Sequence, residues 1–183
     1  MPKHPWSSLT RILRRASTLR RPPTRDVLGA REAASGLLSG SAPAYPGDFP
    51  GPLEIRYGPR PDGRPDPGEV VWAWVPYEED HSRGKDRPVL LVGHDEEAPG
   101  GPWLLGLQLT SKDHDRDLDQ ERRAGRLWVD IGSGGWDHRG RPSEARVNRI
   151  LRIDPGAIRR EGAVLAEDVF EDVAAAVMAA RQR

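Results

Sequence analysis

Apolar residues in this chain fall into short runs separated by longer polar stretches. Val70 to Val75 (VVWAWV) is apolar at every position, the pattern of a strand buried on both faces, either central in a sheet or closing a barrel. Pro88 to Gly93 (PVLLVG) predicts a second strand, Trp103 to Thr110 (WLLGLQLT) a third, and Leu127 to Ile131 (LWVDI) a fourth. Ala145 to Ile153 (ARVNRILRI) predicts a fifth, bent near Asn148 and stopped by Asp154-Pro155. The period then changes. Ala166, Phe170, Val173 and Val177 recur at helical spacing and predict a C-terminal amphipathic helix of about four turns. Some five short strands followed by one helix give a mainly β fold, a small, mostly antiparallel barrel or half-open sheet.

Ahead of Gly68 the pattern weakens. Leu9, Ile12, Leu13 and Ala16 recur at helical spacing between arginines, after Ser7 and Ser8 as caps, and a second, weaker helical pattern covers Asp26 to Leu38. Gly40 to Pro67 holds eight Pro and five Gly in 28 residues, a composition that cannot sustain regular structure. Tyr45, Phe49, Leu53, Ile55 and Tyr57 interrupt it and place part of it on the domain surface. The expected organisation is a basic arm over 1–40, a Pro/Gly-rich linker over 41–67 and a barrel domain over 68–182, with the N-terminal extension mostly disordered or extended.

Composition agrees with that division. Of the 183 residues 36% are hydrophobic and the mean hydropathy is −0.68, enough for a packed core of roughly 110–120 residues but not for the whole chain. No run approaches the roughly 18 apolar residues of a membrane span. The absence of cysteine excludes disulfides, Cys-ligated zinc and thiol catalysis, and a cytoplasmic location fits. A formal net charge of zero conceals an asymmetry: residues 1–25 carry seven Lys/Arg and no acid, leaving 21 basic and 28 acidic residues elsewhere. Such an arm suits nucleic acid or an acidic partner as well as it suits a solvated tail.

Several motifs fail on inspection. Lys112 to Glu121 (KDHDRDLDQE) has alternating acids, but an EF-hand needs glycine at its sixth position and glutamate at its twelfth. Counted from Asp113 those places hold Leu118 and Ala124, so a solvated hairpin loop is expected. The glycines of GSGG at 132–135 lack the Lys-Ser/Thr of a phosphate loop and read as turn glycines. No G-x-S-x-G elbow occurs. Neither a metal nor a cofactor is expected.

Three strand ends remain. The first two strands are joined by a polar loop holding His81, Arg83, Lys85 and Arg87, the third ends at Thr110 and Ser111, and the fifth carries Arg146, Asn148 and Arg149. Cleaving RNA without a metal requires a base for the 2′-hydroxyl, a proton for the leaving 5′-oxygen, and fixed donors for the phosphorane's charge. The arginine fork suits the last of these. Residues of these types stand at strand ends, where a sheet can hold them, but their spacing alone does not assign the chemistry.

Three segments in order resemble the MazF/PemK toxins of bacterial toxin–antitoxin modules: G-E-V-V-W at 68–72 followed by R-P at 87–88 and PVLLVG; the strand ending in Thr110-Ser111; and A-R-V-N-R-I-L-R-I-D at 145–154 ahead of the final helix. The resemblance spans about 68–182 and implies an SH3-like barrel with a C-terminal helix. It also implies a homodimeric, metal-independent endoribonuclease acting on single-stranded RNA and neutralised by an antitoxin. By position Arg87 is similar to the family's acid or phosphate-stabilising arginine, and Thr110, with Ser111 beside it, to the catalytic threonine or serine. His81, Arg146, Asn148 and Arg149 are implied to bind RNA. In the PemK branch an Arg and an Asp two residues apart form acid and base. Here they are Arg146 and Asn148, a departure, since an amide neither takes nor gives a proton at ordinary pH. That departure, the acidic body and the long extension leave a second reading open, a non-catalytic barrel that binds nucleic acid or protein.

Overall fold

The computed structural model describes residues 44–112 and 118–182. The two helical patterns expected within 1–40 lie outside the described residues. Seven strands form one curled, half-barrel sheet: β1 (Glu69–Pro76), β2 (Gly84–Asp95), β3 (Trp103–Thr110), β4 (Trp128–Gly132), β5 (Ser143–Arg146), β6 (Leu151–Ile153) and β7 (Arg160–Val164). Their order is β4-β5-β3-β2-β1-β7, with β6 also beside β3, and every pairing is antiparallel. A one-turn-and-a-half helix α1 (Leu118–Arg123) precedes β4, where the expected hairpin loop is thereby shortened, and α2 (Glu167–Arg181) closes the chain.

The apolar run of β1 finds the two-sided burial it requires. It lies between β2 and β7, and Val70, Val71, Ala73 and Val75 are all buried. Successive residues of β2 divide between two cores: Leu90 and Val92 join one, Val89 and Leu91 the other. The first core also takes Leu105, Leu107 and Leu109 of β3 with Phe170, Val173 and Val177 of α2. Each such side chain contributes roughly 1.5–3 kcal/mol on burial. Glu167 and Asp168 in the first turn of α2 and Arg181 in its last complement the helix dipole.

The expected fifth strand is two strands. β5 pairs with the end of β3 (Leu109↔Ala145, Thr110↔Glu144) and β6 with its start (Leu104↔Ile153, Gly106↔Leu151), along the edge of β3 opposite β2. Val147–Ile150 leave the ladder between them. Val147 and Ile150 turn into the core while Asn148 stays exposed, so the interruption is a bulge that re-aims the intervening side chains. β7 has no apolar run, and its residues Arg160–Val164 (REGAV) gave no strand pattern. The GSGG glycines do turn the chain, Gly132 at φ +71°, but Gly134 has a second reason: a Cβ there would stand 2.1 Å from the Trp136 ring. Trp136 is buried in the first core, its indole Nε1 donating to Ser143 Oγ at 3.1 Å.

Packing reaches further back than Gly68. Burial alternates residue by residue over 51–60, and Phe49, Leu53, Ile55 and Tyr57 pack against the first core. Phe49 N donates to Ile150 O at 2.8 Å, Tyr57 Oη to Leu165 O at 2.8 Å, and Arg152 Nη1 to the carbonyls of Gly47 and Asp48 at 2.9 and 3.0 Å. The segment is extended, as prolines favour, and its period-two side chains attach it without a ladder.

Candidate functional site

The curl of the sheet brings the ends of β1, β3 and β5 around a cleft of about 410 Å³. Arg87 from β2, Thr110 from the end of β3, Arg146 from β5 and Arg149 from the bulge all line it, with Tyr77 and Glu78 of the β1–β2 connection on its rim and Trp128 of β4 on its wall. Four of the residues singled out in the sequence therefore meet. Arg87 sits opposite Ala73 in the β1–β2 ladder and Thr110 opposite Glu144 in the β3–β5 ladder, so both are held by regular backbone pairing.

The three arginines differ in their company. Arg146, 5% exposed, forms a fork–fork pair with Glu78, Nη1 to Oε2 at 2.8 Å and Nη2 to Oε1 at 2.9 Å. The Arg146 hydrogen bonds hold the Glu78 carboxyl below its usual range, against the opposing effect of partial burial. Arg149, equally buried, is held by Asp48, its Nε 2.8 Å from Oδ2. Burial acts to raise Asp48, but hydrogen bonds from Arg149 and Tyr45 and the Arg149 and His81 charges outweigh it, and the carboxyl stays below its usual range. Arg87 is half-buried and has no carboxylate partner among the described residues. Its guanidinium is therefore available to an anion entering the cleft.

Arg87 and Thr110 also line a second cleft, of about 220 Å³, together with Ser111, Asp86, His138 and Arg141. They form the wall between the two. Thr110 Oγ1 accepts from Lys112 N at 3.2 Å, which leaves its own O–H to donate. Asp137 N-caps the turn that carries His138, accepting from Arg139 N at 2.8 Å, and it also accepts from Arg141 Nε at 2.8 Å. The backbone bond to Arg139 is the main reason its carboxyl lies below the usual range.

The other two predicted residues stand elsewhere. His81 is exposed in the β1–β2 connection and packs edge-on against Tyr45, ring centroids 5.1 Å apart, outside both clefts. Burial first, and Asp48 second, push the Tyr45 phenol up, so Tyr45 serves as a donor to Asp48 (2.6 Å) and not as a proton source. Asn148 lines a third hollow, of about 260 Å³, with Asp48, Glu78 and Arg181. Its amide is engaged locally: Oδ1 accepts from Leu127 N at 3.1 Å and Arg146 Nε at 3.3 Å, and Nδ2 donates to Gly125 O. It pins the turn before β4 and steadies Arg146. Asn148→Ala should therefore cost about 1–2 kcal/mol, and Asn148→Asp less because the acceptor is kept, an order that urea denaturation of the three proteins will check.

Sequence reasoning missed Glu78, Tyr77, Trp128 and His138. Glu78 lies two residues past the end of β1, but nothing in a single sequence says which of Glu78, Glu79 and Asp80 meets an arginine 68 residues away. His138 sits in an isolated turn with no periodic pattern around it. Two aromatic rings beside a cationic cleft suit unstacked bases, and the guanidinium–hydroxyl wall suits a phosphate.

A family model for the PemK-like, MazF-like toxin of type II toxin-antitoxin systems matches residues 66–180. A search of curated proteins gave no match.

Proposed function

This chain belongs to the PemK-like, MazF-like toxins of type II toxin–antitoxin systems, and from that premise we propose that it is an endoribonuclease cleaving single-stranded RNA by 2′-hydroxyl attack without a metal. The observation that carries the proposal is the convergence of Arg87, Thr110 and Arg146 on one cleft flanked by Tyr77 and Trp128. The scissile phosphate sits against Arg87, whose unpaired fork takes the charge that grows on the non-bridging oxygens, and Thr110 donates a further hydrogen bond to them. Ser111 extends that wall. Arg146 and Arg149 bind neighbouring phosphates, with Glu78 and Asp48 yielding part of their hold as RNA enters. Asn148 contributes by holding Arg146 in place, and His81 contacts RNA outside the two clefts. The working form in this reading is a cytoplasmic homodimer, and its protein antitoxin neutralises it by covering the cleft. No helix among the described residues is long and apolar enough to cross a membrane.

Induced alone in a bacterial host, the chain is expected to arrest growth and to leave RNA fragments with 2′,3′-cyclic phosphate and 5′-hydroxyl ends. Intact RNA at full expression sinks the proposal. The commitment of Asn148 to Gly125, Leu127 and Arg146 favours one second reading, a barrel that binds RNA without cutting it. Purified protein that retains an oligonucleotide unchanged for hours establishes that alternative.

A further inference from the structure

We propose that Glu78 and His138 are the base and the acid of the reaction, standing on opposite sides of the Arg87–Thr110 wall. The inference rests on the ribonuclease reading above and supplies what that reading lacks, since neither Asn148 nor an arginine is a good proton carrier near neutrality.

An in-line displacement at phosphorus puts the entering 2′-oxygen and the leaving 5′-oxygen at opposite ends of one axis. Base and acid must therefore approach the phosphate from opposite sides. Arg87 and Thr110 are shared by two clefts, so a phosphate bound to them faces both. One cleft contains the carboxylate of Glu78, the other the imidazole of His138. Glu78 is 46% exposed at its side chain while its partner Arg146 is 6% exposed, so the carboxylate is the accessible member of the pair, lining both this cleft and the hollow beside Asn148. Both oxygens are bonded to Arg146, yet each retains a second lone pair for a hydroxyl. His138 is exposed, has no hydrogen-bonded partner among the described residues, and belongs to a residue type suited to giving up a proton near neutrality. Of the other carboxylates lining the two clefts, Asp137 is held by Arg139 N and Arg141, Asp86 by Arg159 at 2.8 Å, and Glu79 is exposed with no arginine among the described residues to fix it in place as Arg146 fixes Glu78. His81, the imidazole first expected from the sequence, lies in neither cleft.

The step balances. Glu78 takes the 2′-hydroxyl proton as the 2′-oxygen bonds to phosphorus. The P–O5′ bond breaks with its electron pair going to O5′, which receives the proton of the His138 imidazolium. The products are a 2′,3′-cyclic phosphate and a 5′-hydroxyl. The glutamic acid and neutral imidazole then exchange protons with water.

The test uses a short RNA containing a site that the unaltered protein cuts, and the same RNA with sulfur replacing the bridging 5′-oxygen at that site. A thiolate leaves without protonation. His138→Gln is expected to lose about 10²–10³-fold on the oxygen substrate and to come within a few-fold of the unaltered protein on the sulfur one. Glu78→Gln is expected to lose as much on both, and its rate to climb tenfold per pH unit as hydroxide replaces the base. The charged groups around Glu78 (Arg146, Arg149, Asp48, Glu79, Arg87, Lys112 and Arg126) and around His138 (Asp137, Arg141, Asp86 and Arg87) are unchanged in both variants. Circular dichroism confirms that each is folded. A His138→Gln protein that cuts the oxygen substrate normally, or that is equally slow on the sulfur one, overturns the acid assignment. A Glu78→Gln protein of undiminished rate, or of unaltered pH profile, overturns the base assignment. Unaltered protein that cuts no RNA overturns the ribonuclease reading itself.

Discussion

Arg87→Ala is expected to slow RNA cleavage by about three orders of magnitude while leaving the fold intact. Loss of one preorganised donor to a transition-state oxyanion is worth roughly 10²–10³ in rate, and a guanidinium fork supplies two such donors with a full charge. The cleft holds two other buried arginines, but each already faces a carboxylate: Arg146 faces Glu78, and Arg149 faces Asp48. Arg87 alone of the three is uncompensated among the described residues, and it alone of them lines both clefts, so its removal takes the unpaired positive charge out of the wall they share. The same lack of partners makes the change cheap for stability. No hydrogen bond or ion pair of the described residues is broken, and a shift within about 0.5 kcal/mol is expected, as for a surface substitution. Arg87→Lys keeps the charge and loses the fork, and should recover only part of the rate. Single-turnover cleavage of a mapped RNA site by the three proteins, with their urea midpoints, checks both halves. An Arg87→Ala rate within tenfold of the original would move the phosphate away from this wall.

What could be read in the sequence and what could not follow from where the information lies. Strands β1, β2 and β3 are apolar on both faces because they run through the middle of the sheet, and a central strand announces itself without any knowledge of its neighbours. Strand β7 lies at the edge beside β1 and carries REGAV, which has no alternation to detect. The single run Ala145 to Ile153 hid two strands, because Val147 and Ile150 are as buried in the bulge as they would be in a ladder. The site follows the same division. Arg87, Thr110 and Arg146 sit at the ends of legible strands, so a single sequence is enough to single them out as candidates. Glu78 and His138 sit on connections, and their value depends on what the sheet's curl brings opposite them. Against the family pattern Asn148 stands where an acid is expected. The structure gives its amide a reason of its own, since Gly125 O needs a donor and Leu127 N an acceptor, and a carboxylate satisfies only the second.

Strand patterning alone suggests a domain beginning at Gly68, and the packing of Phe49, Leu53, Ile55 and Tyr57 against the core gives that boundary an energetic test. A chain of residues 68–183 is expected to be less stable than one of residues 44–183 by about 3–5 kcal/mol. Phe49, Leu53, Ile55 and Tyr57 are partly buried against the core that α2 completes, and each half-buried side chain of this size contributes on the order of 1 kcal/mol. Tyr57 adds its ring contact with Phe170, centroids 5.3 Å apart, and its hydrogen bond to Leu165 O. Arg149 and Arg152 lose Asp48 and the Gly47 and Asp48 carbonyls, but removal of the segment also returns them to water, so their share is small. Against a total stability of roughly 5–15 kcal/mol, the loss is a large fraction, and the shorter chain should melt at a markedly lower temperature. One substitution separates loss of packing from loss of chain length. The segment crosses β2 at Gly93, where a Cβ would stand 2.9 Å from Glu54 O. Gly93→Ala in the 44–183 chain should push the segment off and reproduce part of the destabilisation with every residue present. Equal urea midpoints for 68–183, 44–183 and Gly93→Ala would mean that residues 44–67 lie on the barrel without holding it.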